Sequence, residues 1–576
     1  MSAGGRLPWR DLAALARRSA GLPAFLRRPL DPALVVEAVG ERVRRRGAAF
    51  LAAAERLIYG VPESPLRRLL LWAGCEAGDL RHLVQADGLE GALERLRAAG
   101  VRVSADELRG RTPLRRSGLE LALAPRDFTN PEALGAVAGA SSGTTAGGAA
   151  GASGEEGLRN RRQARARERG DSVRHGGTGE PPQRARRREG RGGGVPVSYS
   201  WEFLAAEAAH ELLLLASHGL AAAPLALWMP GPPGIAGLHN LLAHAKLGRP
   251  PCRWFSPSPA PVAGDGLAFW ADRGWRAARR FLPALGPAAE WVPAERAAEV
   301  ARWLAGAPRP ALLKCFASAA LRLASAARDE GLDLSGKVVF AGGEPLDDAR
   351  RRFLAQAGLR VYARYAATET GFLAGACPLG ASGADMHLYA DRVALINGQP
   401  DGFAGPLAVT SLSLTAPLVL LNVELGDHGV LRRQPCECAL GRAGLDWRVA
   451  EVHSPAKIAA EGVKLGEVDF TRLVEAAVRD LGGGPDDFQI WLGERADGAM
   501  HPAVVLAPHA PIEPAALRTE LRQRLPELSG GALAAHLWLD GGGLTVARRP
   551  LVPGPGQKMR RLVRQPWPDE GRTDEA

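Results

Sequence analysis

Five short stretches of the chain combine small residues, hydroxyls and isolated charges in ways that could handle a nucleotide. Ser141-Ser142-Gly143-Thr144-Thr145 has side chains small enough for a backbone to close around a phosphate, with hydroxyls to meet its oxygens. It lacks the Gly-Lys-Ser/Thr ending of a Walker loop, and a Gly/Ser linker reads the same way. Gly342-Gly343-Glu344 follows an apolar run, where parallel sheets place ligands beyond strand ends; an ordinary strand-to-helix turn fits equally. Tyr365-Ala366-Ala367-Thr368-Glu369-Thr370-Gly371 offers a ring to stack on a base, a hydroxyl for a phosphate and a carboxylate for Mg²⁺, or else a capped loop. Gly426-Asp427-His428-Gly429 could hold the two hydroxyls of a ribose, although Asp in a turn is common. Gly556-Gln557-Lys558 lies in a Gly/Pro loop near the C-terminus, where a solvated lysine would also be at home.

Lysine is rare: Lys246, Lys314, Lys337, Lys457, Lys464 and Lys558 are the full set, and Arg carries nearly all the positive charge. Each lysine is therefore a chemical candidate before it is surface filler. A second constellation is Cys377, His387, Cys436 and Cys438. Three sulfurs and one imidazole form a set that Zn²⁺ accepts tetrahedrally, provided the fold closes the gap of about 50 residues between the halves. Buried free thiols and a surface histidine are the alternative.

These residues need elements to position them. Residues 1–130 read as helical, as in the Ala/Arg/Glu/Leu-rich Leu34–Leu57, and Gly100 ends a second amphipathic stretch. Residues 131–450 alternate helices with strands, among them 224–229, 311–315, 337–341 and 360–363, which predicts a mostly parallel sheet with crossovers. Within this part, residues 154–194 lack aromatic and nearly all aliphatic side chains and read as a disordered Arg-rich insertion; a shifted reading frame and an RNA-binding arm are the other readings. After about 450 a new rhythm begins, with strand-like 487–492, 503–506 and 534–539 around a helix at 513–525. The expected architecture is α/β: a large multi-layer N-terminal domain with mostly parallel sheets, plus a small mobile α+β C-terminal domain at 451–576.

The 576 residues exceed what one hydrophobic core organises. A net charge of +11 invites a nucleic-acid reading. However, 12 Arg against four acids between Leu158 and Gly194 supply +8 of it, so no broad basic face is expected, and nucleic acid is excluded as a partner. Six cysteines do not make a disulfide framework at this length. No 18-residue apolar run predicts a membrane span, and no h-region follows the initial Met-Ser-Ala. A reducing cytoplasm is the expected compartment.

The motifs also come in a telling order. Ser-Ser-Gly-Thr-Thr, Gly-Glu-Pro, Tyr-x-x-Thr-Glu, Gly-Asp and a terminal Gly-x-Lys resemble the succession in the adenylate-forming (acyl-CoA synthetase-like) superfamily. Thr368-Glu369-Thr370-Gly371, Asp385-Met386-His387 with Asp391, and Cys436-Glu437-Cys438 before Gly441-Arg442 look most like the phenylacetate–CoA ligase family. The resemblance runs from about residue 50 to 565, apart from 154–194.

The resemblance implies roles. Ser142, Gly143, Thr144 and Thr145 would meet the ATP phosphates, and Glu344 and Tyr365 would line the adenine site. Thr368 and Glu369 would face the α-phosphate and Mg²⁺, and Asp427 would hold the ribose, with Arg442 counted in the nucleotide set. Lys558 would swing in to neutralise charge as carboxylate meets phosphorus. The implied reaction activates an aryl or fatty acid with ATP to an acyl adenylate and passes it to a thiol, most simply CoA. A carrier-protein or protein cysteine acceptor is the alternative, as is a decayed, non-catalytic homologue. A homodimer is left open. Two departures stand out: Thr-Thr-Ala-Gly replaces the usual Thr-Thr-Gly, and His453-Ser454-Pro455-Ala456 stands where the family carries its Gly-Arg and Asp-Asp hinge. Leu, Ala and Trp residues in 205–275 suggest an apolar acid pocket or simple core packing.

Overall fold

The computed structural model describes residues 21–133, 135, 137–140, 195–232, 234–262, 267–454, 457–460, 463–484, 487–494, 500–528, 531–552 and 562–564. Ser142, Gly143, Thr144, Thr145, Lys558 and the Arg-rich 154–194 run lie outside them.

Among the described residues of the N-terminal part, helices span Pro32–Arg44, Arg46–Ala54, Pro65–Trp72 and Ala77–Ala98. The expected 34–57 helix breaks into two near Arg45, and the last of these helices turns sharply at Gly88 (φ 72°, ψ 178°), a conformation only glycine adopts readily. The two-residue strand Val103–Ser104 pairs with Val423–Arg433 of the large sheet, and a separate hairpin, Leu114–Arg116 with Leu119–Leu121, follows.

The large sheet is mixed. Glu290–Trp291, Arg253–Ser256, Leu225–Trp228, Leu312–Phe316, Val338–Gly342 and Arg360–Ala367 run parallel, joined by helical crossovers. From Arg360–Ala367 onward the pairing is antiparallel, through Gly371–Ala376, Met386–Leu388, Trp447–His453, Val423–Arg433, Ala404–Ser411 and Val393–Ile396. The expected mostly parallel sheet thus holds for one half only. The physical reason is the connection: Thr368-Glu369-Thr370 is far too short for a crossover, so the next strand must fold back as a hairpin.

Among the described residues there are two large hydrophobic cores, besides a small cluster of Trp491, Ala503 and Val505. One extends from Leu22 to Val449, uniting the N-terminal helices with the large sheet. The other gathers Val463, Phe470, Ile490, Val504, Leu521 and Trp538 around a four-stranded sheet of Phe488–Glu494, Met500–Leu506, Thr545–Arg548 and Leu562–Arg564. The 534–539 run, expected as a strand, is helical: Gly531–Ala534 continues into Ala535–Asp540. Leu533, Leu537 and Trp538 fall on one helical face and bury into this second core, so a period near four wins over β-propensity. In the large core, Leu212–Leu215, Leu227, Trp228, Leu241 and Trp254 of the greasy 205–275 stretch are each 8% exposed or less, whereas Trp270 is exposed. No helix among the described residues is long and apolar enough to cross a membrane.

Helix Trp201–Ser217 passes under this sheet with Glu207, His210 and Glu211 fully buried. Buried carboxylates need partners. Glu211 meets Lys314 Nζ at 2.6 Å and Arg364 at 2.8 Å. His210 bonds Asp391 at 2.7 Å, and Arg42 completes that group at 2.8 Å.

Candidate nucleotide site and cysteine cluster

The glycine pair 342–343 ends its strand by turning under Phe316; Gly343 has φ +78°, and a Cβ there would meet the Phe316 ring at 2.6 Å. That turn delivers Glu344 to the start of the neighbouring Ala317–Asp329 helix. Its carboxylate accepts from Ser318 N at 2.7 Å and Ser318 Oγ at 3.0 Å, bridging two consecutive strand ends.

Tyr365 sits late in its strand, where the register slips against Gly371–Ala376 between Tyr365 and Ala366. Its hydroxyl donates to Asp427 Oδ2 at 2.9 Å, and both residues are buried. Burial first, then the neighbouring Asp427 carboxylate, hold the phenol well above its ordinary range, so it remains a donor. The other Asp427 oxygen accepts from Ser454 Oγ, the residue that follows the Trp447–His453 strand. Nothing in its spacing singles out Ser454, whose segment departs from the family's hinge.

Thr368, Glu369 and Thr370 form the tight turn between the two strands, closed by Thr370 N donating to Ala367 O at 3.1 Å. Tyr199 Oη donates to Thr368 O at 2.6 Å. Glu369 is buried, and the Arg109 guanidinium approaches it at 3.7 Å. One carboxylate at a strand end suits Mg²⁺, which is usually held by one or two carboxylates together with substrate phosphates. Spacing alone gave no hint of Arg109 or Tyr199, because both come from elements remote in sequence.

Arg442 does not join this group. It is exposed, at the end of the short Ala439–Arg442 helix, and donates to Glu437 O at 2.7 Å. Its backbone N donates to Cys438 O at 2.9 Å, beside the cysteine cluster.

In that cluster Cys377, His387, Cys436 and Cys438 bring their ligand atoms within 4.8 Å of one another. Cys377 Sγ lies 3.8 Å from Cys436 Sγ, and Cys438 Sγ lies 3.2 Å from His387 Nε2. The other imidazole nitrogen, Nδ1, faces Leu445 O at 2.5 Å, which orients the ring as metal-binding histidines are commonly oriented. Cys377 and Cys438 split a proton unequally: their mutual hydrogen bond pushes the Cys377 thiol up and pulls Cys438 down, with His387 adding to the latter. The donor set fits tetrahedral zinc, whose ligands must be thiolates and neutral imidazole.

No protein-family model matches the chain, and no curated protein matches it in sequence. Solved structures do match. A 2-hydroxyisobutyryl-CoA ligase in complex with 2-HIB-AMP and CoA is 16% identical over 51% of this chain and 62% of its own, with a TM-score of 0.32. A malonyl-CoA ligase with methylmalonyl-CoA and AMP bound is 14% identical over 62% of this chain and 95% of its own, at 0.32. A coronafacic acid ligase from Pectobacterium brasiliense is 14% identical over 57% of this chain and 58% of its own, at 0.26.

All three are ligases by name. This chain spans less than two thirds of the first and the third.

Proposed function

We propose that this chain is an adenylate-forming acid–thiol ligase of the acyl-CoA synthetase-like superfamily, similar within it to the phenylacetate–CoA ligase family. The observation that carries the reading is the meeting of Tyr365 and Asp427 beside the Thr368–Thr370 turn. Two motifs expected to hold the base and the ribose of one nucleotide come from opposite halves of the sheet and touch.

In this reading ATP binds at the carboxyl ends of the Val338–Gly342 and Arg360–Ala367 strands. Tyr365 and Glu344 flank the adenine and Asp427 takes the ribose hydroxyls. Thr368 and Glu369 meet the α-phosphate and Mg²⁺, while Ser142, Gly143, Thr144 and Thr145 wrap the outer phosphates. The acid's carboxylate attacks the α-phosphorus in line and pyrophosphate leaves. Lys558, carried on the C-terminal unit, stabilises the developing charge. Positioning and charge neutralisation supply the rate, with no acid–base relay required. A thiol then attacks the acyl carbon and AMP leaves; CoA is the simplest acceptor, and a carrier-protein thiol is the alternative. The Cys377, His387, Cys436 and Cys438 set holds one structural Zn²⁺ that fastens the Met386–Leu388 strand to the 436–442 knuckle.

Acid-dependent exchange of pyrophosphate into ATP, run over a panel of aryl and aliphatic acids, tests the reading. Exchange with at least one acid supports it. No exchange with any acid, from folded protein, overturns it in favour of a non-catalytic homologue.

A further inference from the structure

The Thr368–Gly371 turn is held from below by residues that none of the nucleotide motifs includes. Gly371 has φ +74°, and a Cβ there would meet Glu207 Oε1 at 2.1 Å and the Phe203 ring at 2.9 Å. The turn therefore presses directly onto the Trp201–Ser217 helix. At its far end, Phe372 N donates to Glu207 Oε1 at 2.7 Å. At its near end, Tyr199 Oη donates to Thr368 O at 2.6 Å. Two bonds four residues apart thus clamp the backbone on either side of Glu369, and both come from one segment, 196–217.

Glu207 is itself locked. It is completely buried; its second oxygen bonds His239 Nε2, and Arg392 NH1 lies 3.2 Å from its first. Rings fill the remaining space: His239 stacks on Phe372 with centroids 4.4 Å apart, and Tyr199 stacks on Phe203 at 5.2 Å. Arg392 caps the Phe203 ring at 3.9 Å. His239 and Arg392 both lower the Glu207 pKa against the opposing pull of burial, so the group is an anion at neutral pH. A buried anion that accepts from a backbone N–H is a strong and directional anchor. Helix packing alone would be served more simply by a leucine, since an ionic group in a core seldom adds net stability over a hydrophobic replacement.

We propose that Glu207 and Tyr199 are positioning residues for adenylation: together they fix the turn that presents Glu369 to Mg²⁺ and Thr368 to the nucleotide phosphate. The proposal rests on the ligase reading and adds to it a second layer that sets the geometry of the metal-binding carboxylate. Neither residue touches the nucleotide in this scheme.

Calorimetric titration of the full chain with ATP, in Mg²⁺ and separately in EDTA, tests it without knowledge of the acid. Wild-type protein is expected to bind ATP more tightly with Mg²⁺. Glu207→Ala and Tyr199→Phe should each lose about tenfold of the Mg²⁺-dependent gain, while affinity in EDTA stays within about twofold. Glu207→Gln, which keeps an acceptor for Phe372 N–H, should retain most of the gain. Tyr199→Phe removes one hydroxyl and keeps the stacked ring, so it reports even where Glu207→Ala folds poorly. Unchanged Mg²⁺-dependent gain in folded variants, or equal losses with and without Mg²⁺, overturns the positioning role and leaves the ligase reading standing. Wild-type protein that binds no ATP in either condition overturns the ligase reading, and this proposal with it.

Discussion

The hydroxyl of Tyr365 donates to Oδ2 of Asp427 at 2.9 Å across 62 residues of sequence, and Ser454 Oγ donates to the other carboxylate oxygen. One buried carboxylate in the Val423–Arg433 strand therefore ties together the Arg360–Ala367 strand and the residue that follows the Trp447–His453 strand.

Replacing Asp427 should separate its two roles. Asp427→Ala leaves the buried Tyr365 hydroxyl without this acceptor, a loss worth about 1–3 kcal/mol of stability. It also removes the expected ribose partner, so ATP affinity should fall at least about tenfold. Tyr365→Phe keeps a ring to stack on the base and should change affinity far less. Titration calorimetry with thermal unfolding on both variants checks this; full ATP affinity in Asp427→Ala would reduce the residue to a structural tie.

The cysteine cluster should bring one zinc per chain through purification. Metal analysis checks this directly. Cys438→Ser, which removes the sulfur beside His387 Nε2, should lose the metal and lower the melting temperature, and chelator should do the same to wild-type protein. Purified protein with no zinc and no response to chelator sinks the assignment.

Lys314 should leave a mark on stability above neutral pH. Burial, then the Arg364 charge, pull its pKa from 10.5 down to about 7, against the attraction of Glu211. The folded-state value lies below the unfolded one. Between about pH 7 and 10.5 the unfolded chain therefore holds a proton that the folded chain does not, and stability rises with pH across that window. The slope for one proton approaches about 1.4 kcal/mol per pH unit. Lys314→Met removes this contribution, so wild type should gain on the variant between pH 7.5 and 9.5 in chemical denaturation, a window drawn from that shift. Parallel curves would show that Lys314 stays charged in its pair with Glu211.

Lys558 offers a kinetic test that needs no structural detail. Lys558→Ala should slow acid-dependent pyrophosphate exchange by about 10²–10³-fold, the scale for losing one preorganised electrostatic contact. Thiol transfer from a supplied acyl adenylate should slow much less, because the C-terminal unit is expected to rotate between steps. Equal slowing of both half-reactions would count against that rotation while leaving the enzyme class intact.

The sequence by itself determined which residues are chemically unusual and in what order they come. Local rules suffice for that: Gly343 permits a left-handed turn, Thr368-Glu369-Thr370 interrupts two apolar runs, and three cysteines with one histidine make a zinc-compatible set wherever they converge. Helix and strand positions in 201–363 were legible for the same reason, since period and breakers are local signals. The tertiary structure alone decided the partners. Glu207 sits in the middle of an apolar helix, and its value lies in an N–H 165 residues away. Arg109 gains meaning only against Glu369, and Ser454 only against Asp427. The antiparallel half of the sheet and the helical 534–539 run were hidden likewise. Each depends on how long-range packing satisfies a buried face or a buried charge, and no spacing along the chain records that.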